Sequence, residues 1–198
     1  MRHIYDRFAR FYDRALAPLE RAFLAQWRAE TLAALPRHAR VLEVGAGTGL
    51  NFAYYPEEST AQRPEISGEM IAKARENGLR PSEVHLVRSS VEHLPFPDGS
   101  FDAAFATLVF CSVVSPHDAF LELRRIVRPG GTIVLLEHVR PPGKFLGPAF
   151  DALSVITVSL FDDHFNRNTV LAAERSGLRI EHVTNRARGV VQTIICRV

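Results

Sequence analysis

The chain has 198 residues, 46% hydrophobic and 23% charged, with a formal net charge of +2. That is enough chain for one domain with its own core and too little net charge for a nucleic-acid binder. Cys111 and Cys196, the two cysteines, make neither a disulfide framework nor a metal site.

In chain order, Ile4, Phe8, Phe11, Ala15, Leu19, Phe23 and Trp27 recur at helical spacing and predict a helix over residues 1–35 with these residues inward. Pro18 breaks or kinks it. Arg7, Arg10, Arg14, Arg21 and Arg28 form a stripe on the same wheel. Such a stripe suits either a solvated face or a helix lying on anionic lipid; Asp6, Asp13 and Glu20 beside it weigh against lipid. "ARVLEV" (39–44) is a short buried strand that runs into a turn of small residues. "VHLVRSS" (84–90) and "FDAAFATLV" (101–109) are strands, with Pro97, Asp98 and Gly99 marking a turn between them.

Residues 115–127 predict a helix capped by Ser115, with Ala119, Leu123, Ile126 and Val127 inward. "RPGG" (128–131) stops it, and "TIVLLEHV" (132–139) is a strongly apolar strand. Residues 145–161 are too apolar for a surface loop and, at that length and interrupted by Asp151, too short to span a bilayer; they read as a buried helix or as the wall of a greasy pocket. "NTVLAAERSG" (168–177) is a last helix ending at Gly177. Two strands, 178–183 and 190–198, close the chain. Alternating strands and helices predict a mostly parallel, doubly wound α/β sheet, and the closing pair predicts an antiparallel edge. With no membrane span and no apolar segment of a signal peptide at the start, a cytoplasmic protein is expected.

Gly45, Gly47 and Gly49 in "VLEVGAGTGL" (41–50) read as G-x-G-x-G, with Leu50 where a dinucleotide site would want glycine. Glu43, two residues before the first glycine, would repel a pyrophosphate and suit a ligand bearing positive charge. A ligand carboxylate could use the helix N-terminus after Gly49. A nicotinamide-dependent oxidoreductase is therefore the weaker enzyme reading, and a turn serving only strand–helix packing is the non-functional one.

"VLEVGAGTG" resembles the first motif of class I S-adenosylmethionine-dependent methyltransferases. "LPFPDGSFD" (94–102) with "LRRIVRPGG" (123–131) is similar to the ubiquinone/menaquinone methyltransferase group, including short bacterial phospholipid N-methyltransferases and methyltransferase-like 7 type thiol methyltransferases. "YDRFARFYD" (5–13), "TLVFCSV" (107–113) and "LEHV" (136–139) fit the same relatives. The resemblance implies a Rossmann-like, seven-stranded, mostly parallel sheet in one domain over 1–198. Its parts are an N-terminal helical cap (1–37), a cofactor-binding core (38–140), and a substrate-side helix with the C-terminal strands (141–198).

It also implies S-adenosylmethionine as cofactor, with S-adenosylhomocysteine as product. Gly45, Ala46, Gly47 and Gly49 would pass under the methionine end, with Glu43 near its ammonium. Glu65 and Ile66 would meet the ribose at the end of a second strand, which the resemblance places at "TAQRPE" (60–65) and Pro64 would make short or irregular; Met70 would meet the adenine, and Ser90 and Val91 the base edge. Thr107 and Leu108 would lie near the transferring methyl. His138 and Tyr12 are the candidates for polar groups at the acceptor, and Tyr5 and Arg167 for further substrate contacts; no metal is expected. The implied acceptor is a lipid or other lipophilic small molecule, phosphatidylethanolamine first, with a quinone ring carbon or a small thiol or hydroxyl as alternatives. A non-catalytic S-adenosylmethionine-binding module is the remote one. Peripheral contact with the inner membrane is an open extension; a nucleic-acid partner is not expected.

Overall fold

The computed structural model describes residues 17–55, 60–65, 70, 72, 74, 84–161, 164 and 166–198. Seven strands form one sheet: β1 (Arg40–Val44), β2 (Thr60–Glu65), β3 (Val84–Arg88), β4 (Phe101–Thr107), β5 (Val127–His138), β6 (Arg179–Arg186) and β7 (Val191–Arg197), in the order β3-β2-β1-β4-β5-β7-β6. β1 to β5 are parallel, and β7 enters antiparallel between β5 and β6. The antiparallel strand thus lies one place in from the edge, because the second arm of the β6–β7 hairpin, not the first, pairs with β5.

Side chains in the central strands alternate between two cores, as the pleat dictates. Leu42, Ala104, Ala106, Ile133 and Leu135 join one cluster, while Val41, Ala103, Phe105 and Val134 join the other. Two helices take up the first face: α2 (Pro116–Ile126) through Phe120, Leu123 and Ile126, and the short α4 (Thr169–Arg175) through Ala173. Ser115 caps α2, its hydroxyl accepting from the Asp118 N–H at 3.3 Å. Leu32 of α1 (Ala25–Leu32) belongs to the second cluster. α3 (Leu146–Phe161) follows β5.

Three local expectations change. β5 begins at Val127 rather than at residue 132, because a register shift between Phe101 and Ala103 and the left-handed Gly130 (φ 76°) carry "RPGG" along the sheet edge. Pro64 does sit in a paired strand: β1 pairs β2 only as far as Gln62, so Pro64 has a ladder neighbour on one side alone. The third concerns the first helix. Its start lies outside the described residues, and a widened π turn, Glu20–Leu24, precedes α1. One extra residue in a turn rotates everything beyond it by about 100°. Leu19 and Phe23, expected inward, are exposed; Leu24, Arg28, Thr31 and Leu32 are buried instead.

Candidate functional site

Strand order reverses between β1 and β4, and in open α/β sheets a crevice forms outside the carboxyl ends of the strands at such a point. A cleft of about 180 Å³ lies there, lined by Gly45–Thr48, Leu50, Asn51, Met70, Ser89–Glu92, Thr107–Val109 and Ser112–Val114, with Arg28 reaching it from α1.

The turn after β1 needs its glycines for different reasons. All three are left-handed, with φ of 64°, 54° and 88° at Gly45, Gly47 and Gly49. A Cβ on Gly45 would stand 2.5 Å from a methyl of Val109, and one on Gly49 would stand 2.3 Å from the Phe52 ring. At Gly47 the nearest atom would be the Gly45 carbonyl oxygen, 3.9 Å away. Two glycines therefore allow the chain to pack, and the third leaves open space on the cleft side.

Beneath the turn lies a buried polar network. Arg28, 4% exposed, donates through Nε to the Glu20 carboxylate at 3.0 Å. Through Nη1 it donates to Asn51 Oδ1 at 2.8 Å and Thr107 Oγ1 at 2.6 Å. Asn51 Nδ2 donates to Glu43 Oε1 at 2.6 Å and Thr107 Oγ1 at 2.9 Å, and the Tyr55 hydroxyl donates to Glu43 Oε2. The second terminal nitrogen of Arg28 makes no hydrogen bond among the described residues, although the guanidinium borders the cleft.

The loop after β4 is held from below. Leu108 is left-handed (φ 58°), and its N–H donates to the Leu136 carbonyl at 2.7 Å. The next two N–H groups, of Val109 and Phe110, donate to the two oxygens of Glu137 at 3.0 and 3.2 Å. Arg167 donates to the Phe110 carbonyl. Glu137 is fully buried, and burial pushes its carboxyl up to about 8 against the pull of those N–H groups. At the mouth, Glu92 accepts from the Val114 and Ser115 N–H groups at 3.0 and 3.3 Å and from the Ser90 hydroxyl.

Of the residues singled out in the sequence, Gly45, Ala46, Gly47, Met70, Ser90, Val91, Thr107 and Leu108 come together around the cleft. Gly49 packs behind the turn. Glu65 ends β2, its side chain outside the description, as are Tyr5, Tyr12 and Ile66 altogether. Glu43 does not line the cleft: it is fully buried, and Asn51 and Tyr55 take up its carboxylate. Its field reaches a ligand through Asn51 and is opposed by Arg28, so the repulsion of diphosphate expected of it is not its direct contact.

His138 also stands outside the cleft lining, because β4 ends level with Leu136 and His138 lies two residues further on, paired with Val191. Burial lowers its pKa to about 4, which leaves a neutral, weakly basic imidazole. Arg167, expected at an anionic head group, is instead bonded to the loop. Sequence reasoning missed Arg28, Asn51 and Glu92. Asn51 follows the glycine turn directly and could have been noted. Arg28 was hidden in a stripe that the π turn breaks.

Residues 42–135 match a family model described as a methyltransferase domain. Over 106 residues the chain is 36% identical to the thiol S-methyltransferase TMT1B of Homo sapiens, covering 52% of this chain and 43% of that protein. It is 37% identical over 106 residues to the phosphatidylethanolamine N-methyltransferase of Cereibacter sphaeroides, covering 52% of each. A solved SAM-dependent methyltransferase from Thermotoga maritima superposes with a TM-score of 0.74 at 22% identity, covering 100% of this chain and 99% of that one. The chain spans about half the length of the curated relatives it matches.

Proposed function

Since the chain belongs to the class I S-adenosylmethionine-dependent methyltransferases, we propose that it methylates the amine of a lipophilic acceptor, with phosphatidylethanolamine the first candidate. The observation that carries the acceptor is the cleft mouth. Val109, Val113 and Val114, the last 77% exposed, line the same cleft as the half-buried carboxylate of Glu92. An apolar wall beside a fixed anion suits an ammonium head on a hydrocarbon tail; a neutral quinone or thiol would use only the wall. The similarity to a phosphatidylethanolamine N-methyltransferase supports the same reading.

S-adenosylmethionine is the cofactor of this family, and the residues present fit it. Gly47 leaves room for close approach of the methionine end. Arg28 has an unused donor for the methionine carboxylate. Ser90 and Val91 follow β3, where a base edge would lie, and Glu65 closes β2, where the ribose would lie. When bound, this cofactor supplies an electrophilic methyl carbon on a sulfonium, a leaving group that needs no acid. The chain's own work is then alignment, with the nucleophile held at ~3–3.5 Å. Leu108, fixed through the Leu136 carbonyl, and Val109, fixed through Glu137, form the floor on which that alignment rests. His138 is too weak a base, at a pKa of about 4, to strip an ammonium; Tyr12 remains the group proposed to orient the amine.

Incubation with a methyl-labelled donor and, in separate reactions, phosphatidylethanolamine vesicles, demethylmenaquinone or a small aliphatic thiol tests the acceptor. Label is expected in the phospholipid. Label confined to the quinone or the thiol overturns the amine reading.

The glycine turn gives a second expectation. Gly45→Ala should lower stability by about 1–3 kcal/mol, since the turn is left-handed and Val109 is in the way. Gly47→Ala meets no atom at close range and should lose less stability, about 1 kcal/mol for the left-handed strain, while weakening donor binding more. Thermal denaturation and a titration with S-adenosylhomocysteine on the same two variants check the contrast.

A further inference from the structure

α3 presents an apolar face outward. Its outward positions are Phe145 just ahead of it, then Leu146, Pro148, Ala149, Ala152 and Val155. Phe145, Ala149, Ala152 and Val155 fall within about a third of a turn of the wheel, since successive residues are about 100° apart. Phe145 is 89% exposed and Val155 is 71% exposed. The polar side chains described on the helix lie off this arc, Ser154 opposite it and the partly exposed Asp151 at its flank. Ser154 is buried, and its hydroxyl donates to Asn166 Oδ1 at 3.0 Å. Asp151, the only charged residue in the helix, is held by Arg140 through three contacts of 2.8 to 3.2 Å and accepts from Asn166 at 3.3 Å. The Arg140 guanidinium keeps the Asp151 carboxyl below its ordinary range. Asp151, at the flank of the apolar arc, has a partly exposed carboxylate whose charge is paired with Arg140.

Charge around this face is segregated. Lys144 is exposed directly before Phe145. The turn Ala187–Gly189 abuts the same end: a Cβ on Gly189 would stand 2.8 Å from Pro142 Cδ. That contact brings the exposed Arg188 close to the start of α3. Neither Lys144 nor Arg188 is in an ion pair among the described residues. The acidic pair Asp162–Asp163 follows the other end of the helix in sequence.

We infer that the outward face of α3 is a docking surface for an anionic lipid surface, its N-terminal end seated in the head-group region. Phe145, Leu146 and Ala149 would enter the acyl boundary, and Lys144 and Arg188 would meet lipid phosphates. An interfacial helix needs an apolar face with cations at its margin, which is the arrangement here. Among the described residues no helix is long and apolar enough to cross a membrane, so the contact is one of lying on the surface. The inference does not depend on which acceptor is methylated.

The test is flotation of the full chain with vesicles of phosphatidylcholine alone and of phosphatidylcholine with phosphatidylglycerol in equal parts. The wild-type chain should float with the anionic vesicles and much less with the neutral ones. Phe145→Ser combined with Val155→Ser should reduce partitioning about tenfold or more while donor affinity and melting temperature stay near wild type. Lys144→Glu combined with Arg188→Glu should abolish the preference for anionic vesicles, and Leu121→Ser, on the exposed side of α2, should change nothing. A wild-type chain that stays with neither vesicle overturns the inference. So does flotation of both double variants at the wild-type level, or sedimentation showing that this face pairs two copies of the chain. Failure here with label still entering phosphatidylethanolamine would strike the docking surface alone, and the reverse result would strike the acceptor alone.

Discussion

Arg28→Met is expected to destabilise the chain by about 3 kcal/mol and to weaken binding of S-adenosylhomocysteine by about ten- to a hundredfold. Methionine fills a similar volume, so the loss is of hydrogen bonds rather than packing. Arg28 satisfies Glu20, Asn51 and Thr107 at once. Without it, the Asn51 carbonyl oxygen loses its donor inside the protein, and the Glu20 carboxylate loses its guanidinium partner. Removing one partner from a buried charged cluster costs several kcal/mol, because the remaining groups were desolvated on the expectation of that partner. The part of the loss that concerns ligand arises at the unused terminal nitrogen facing the cleft. A charged hydrogen bond to a carboxylate contributes about 1.5–3 kcal/mol. Arg28→Lys should rescue little, since an ammonium cannot reach Glu20, Asn51 and Thr107 with one rigid fork. Chemical denaturation and calorimetric titration read the two effects separately. Unchanged ligand affinity in a folded Arg28→Met protein would reduce the residue to a structural strut between α1 and the sheet.

Glu137 gives the second large effect, and it depends on pH. Glu137→Ala leaves the Val109 and Phe110 N–H groups buried without acceptors, at a cost of about 3 kcal/mol, and frees the loop that carries Leu108 and Val109 into the cleft. Turnover should therefore fall further than donor affinity. In the wild type the carboxyl is raised from 4.5 in the unfolded chain to about 8 in the fold, chiefly by burial. Between those values the unfolded chain has released its proton and the folded one retains it, so stability declines as pH rises across that window and levels off above it. Below 4.5 the contribution is fully present. Glu137→Gln keeps a neutral side chain and one of the two acceptor bonds. It should be somewhat less stable at low pH, yet show a flatter profile between pH 4.5 and 8. Melting curves of both proteins over that range settle the matter: parallel profiles would mean that Glu137 does not titrate there.

Much of this fold is written in local pattern. The apolar alternation of "RVLEV" and "FDAAFAT" sends Leu42 and Ala104 to one core and Val41 and Ala103 to the other. The glycines of the first turn and the Ser115 cap follow from residue type alone. What the sequence hides are features set by non-local geometry. A π turn has no residue signature, so the seven-residue spacing from Arg21 to Arg28 suggested one stripe, whereas Arg21 is exposed and Arg28 buried. Glu43 could be placed at the strand end but not aimed; its side chain turns under the turn because Asn51 and Tyr55 return to it from later in the chain. His138 lies at a strand end as expected, but strand ends are staggered, and its level relative to Thr107 is set by the pairing of β5 with β4 and β7. The apolar run 145–161 was legible as helix, and which side faces out depends on contacts from outside it: Asn166 holds Ser154 inward, and Arg140 holds Asp151 at the flank.

The most direct measurement is a crystal structure of the chain with S-adenosylhomocysteine. The homocysteine end is expected over Gly45–Gly47 with its carboxylate on the free donor of Arg28, the base near Ser90 and Val91, and the sulfur facing Leu108. A ligand seated elsewhere, or one whose carboxylate turns to solvent while Arg28 keeps only Glu20, Asn51 and Thr107, would contradict the account.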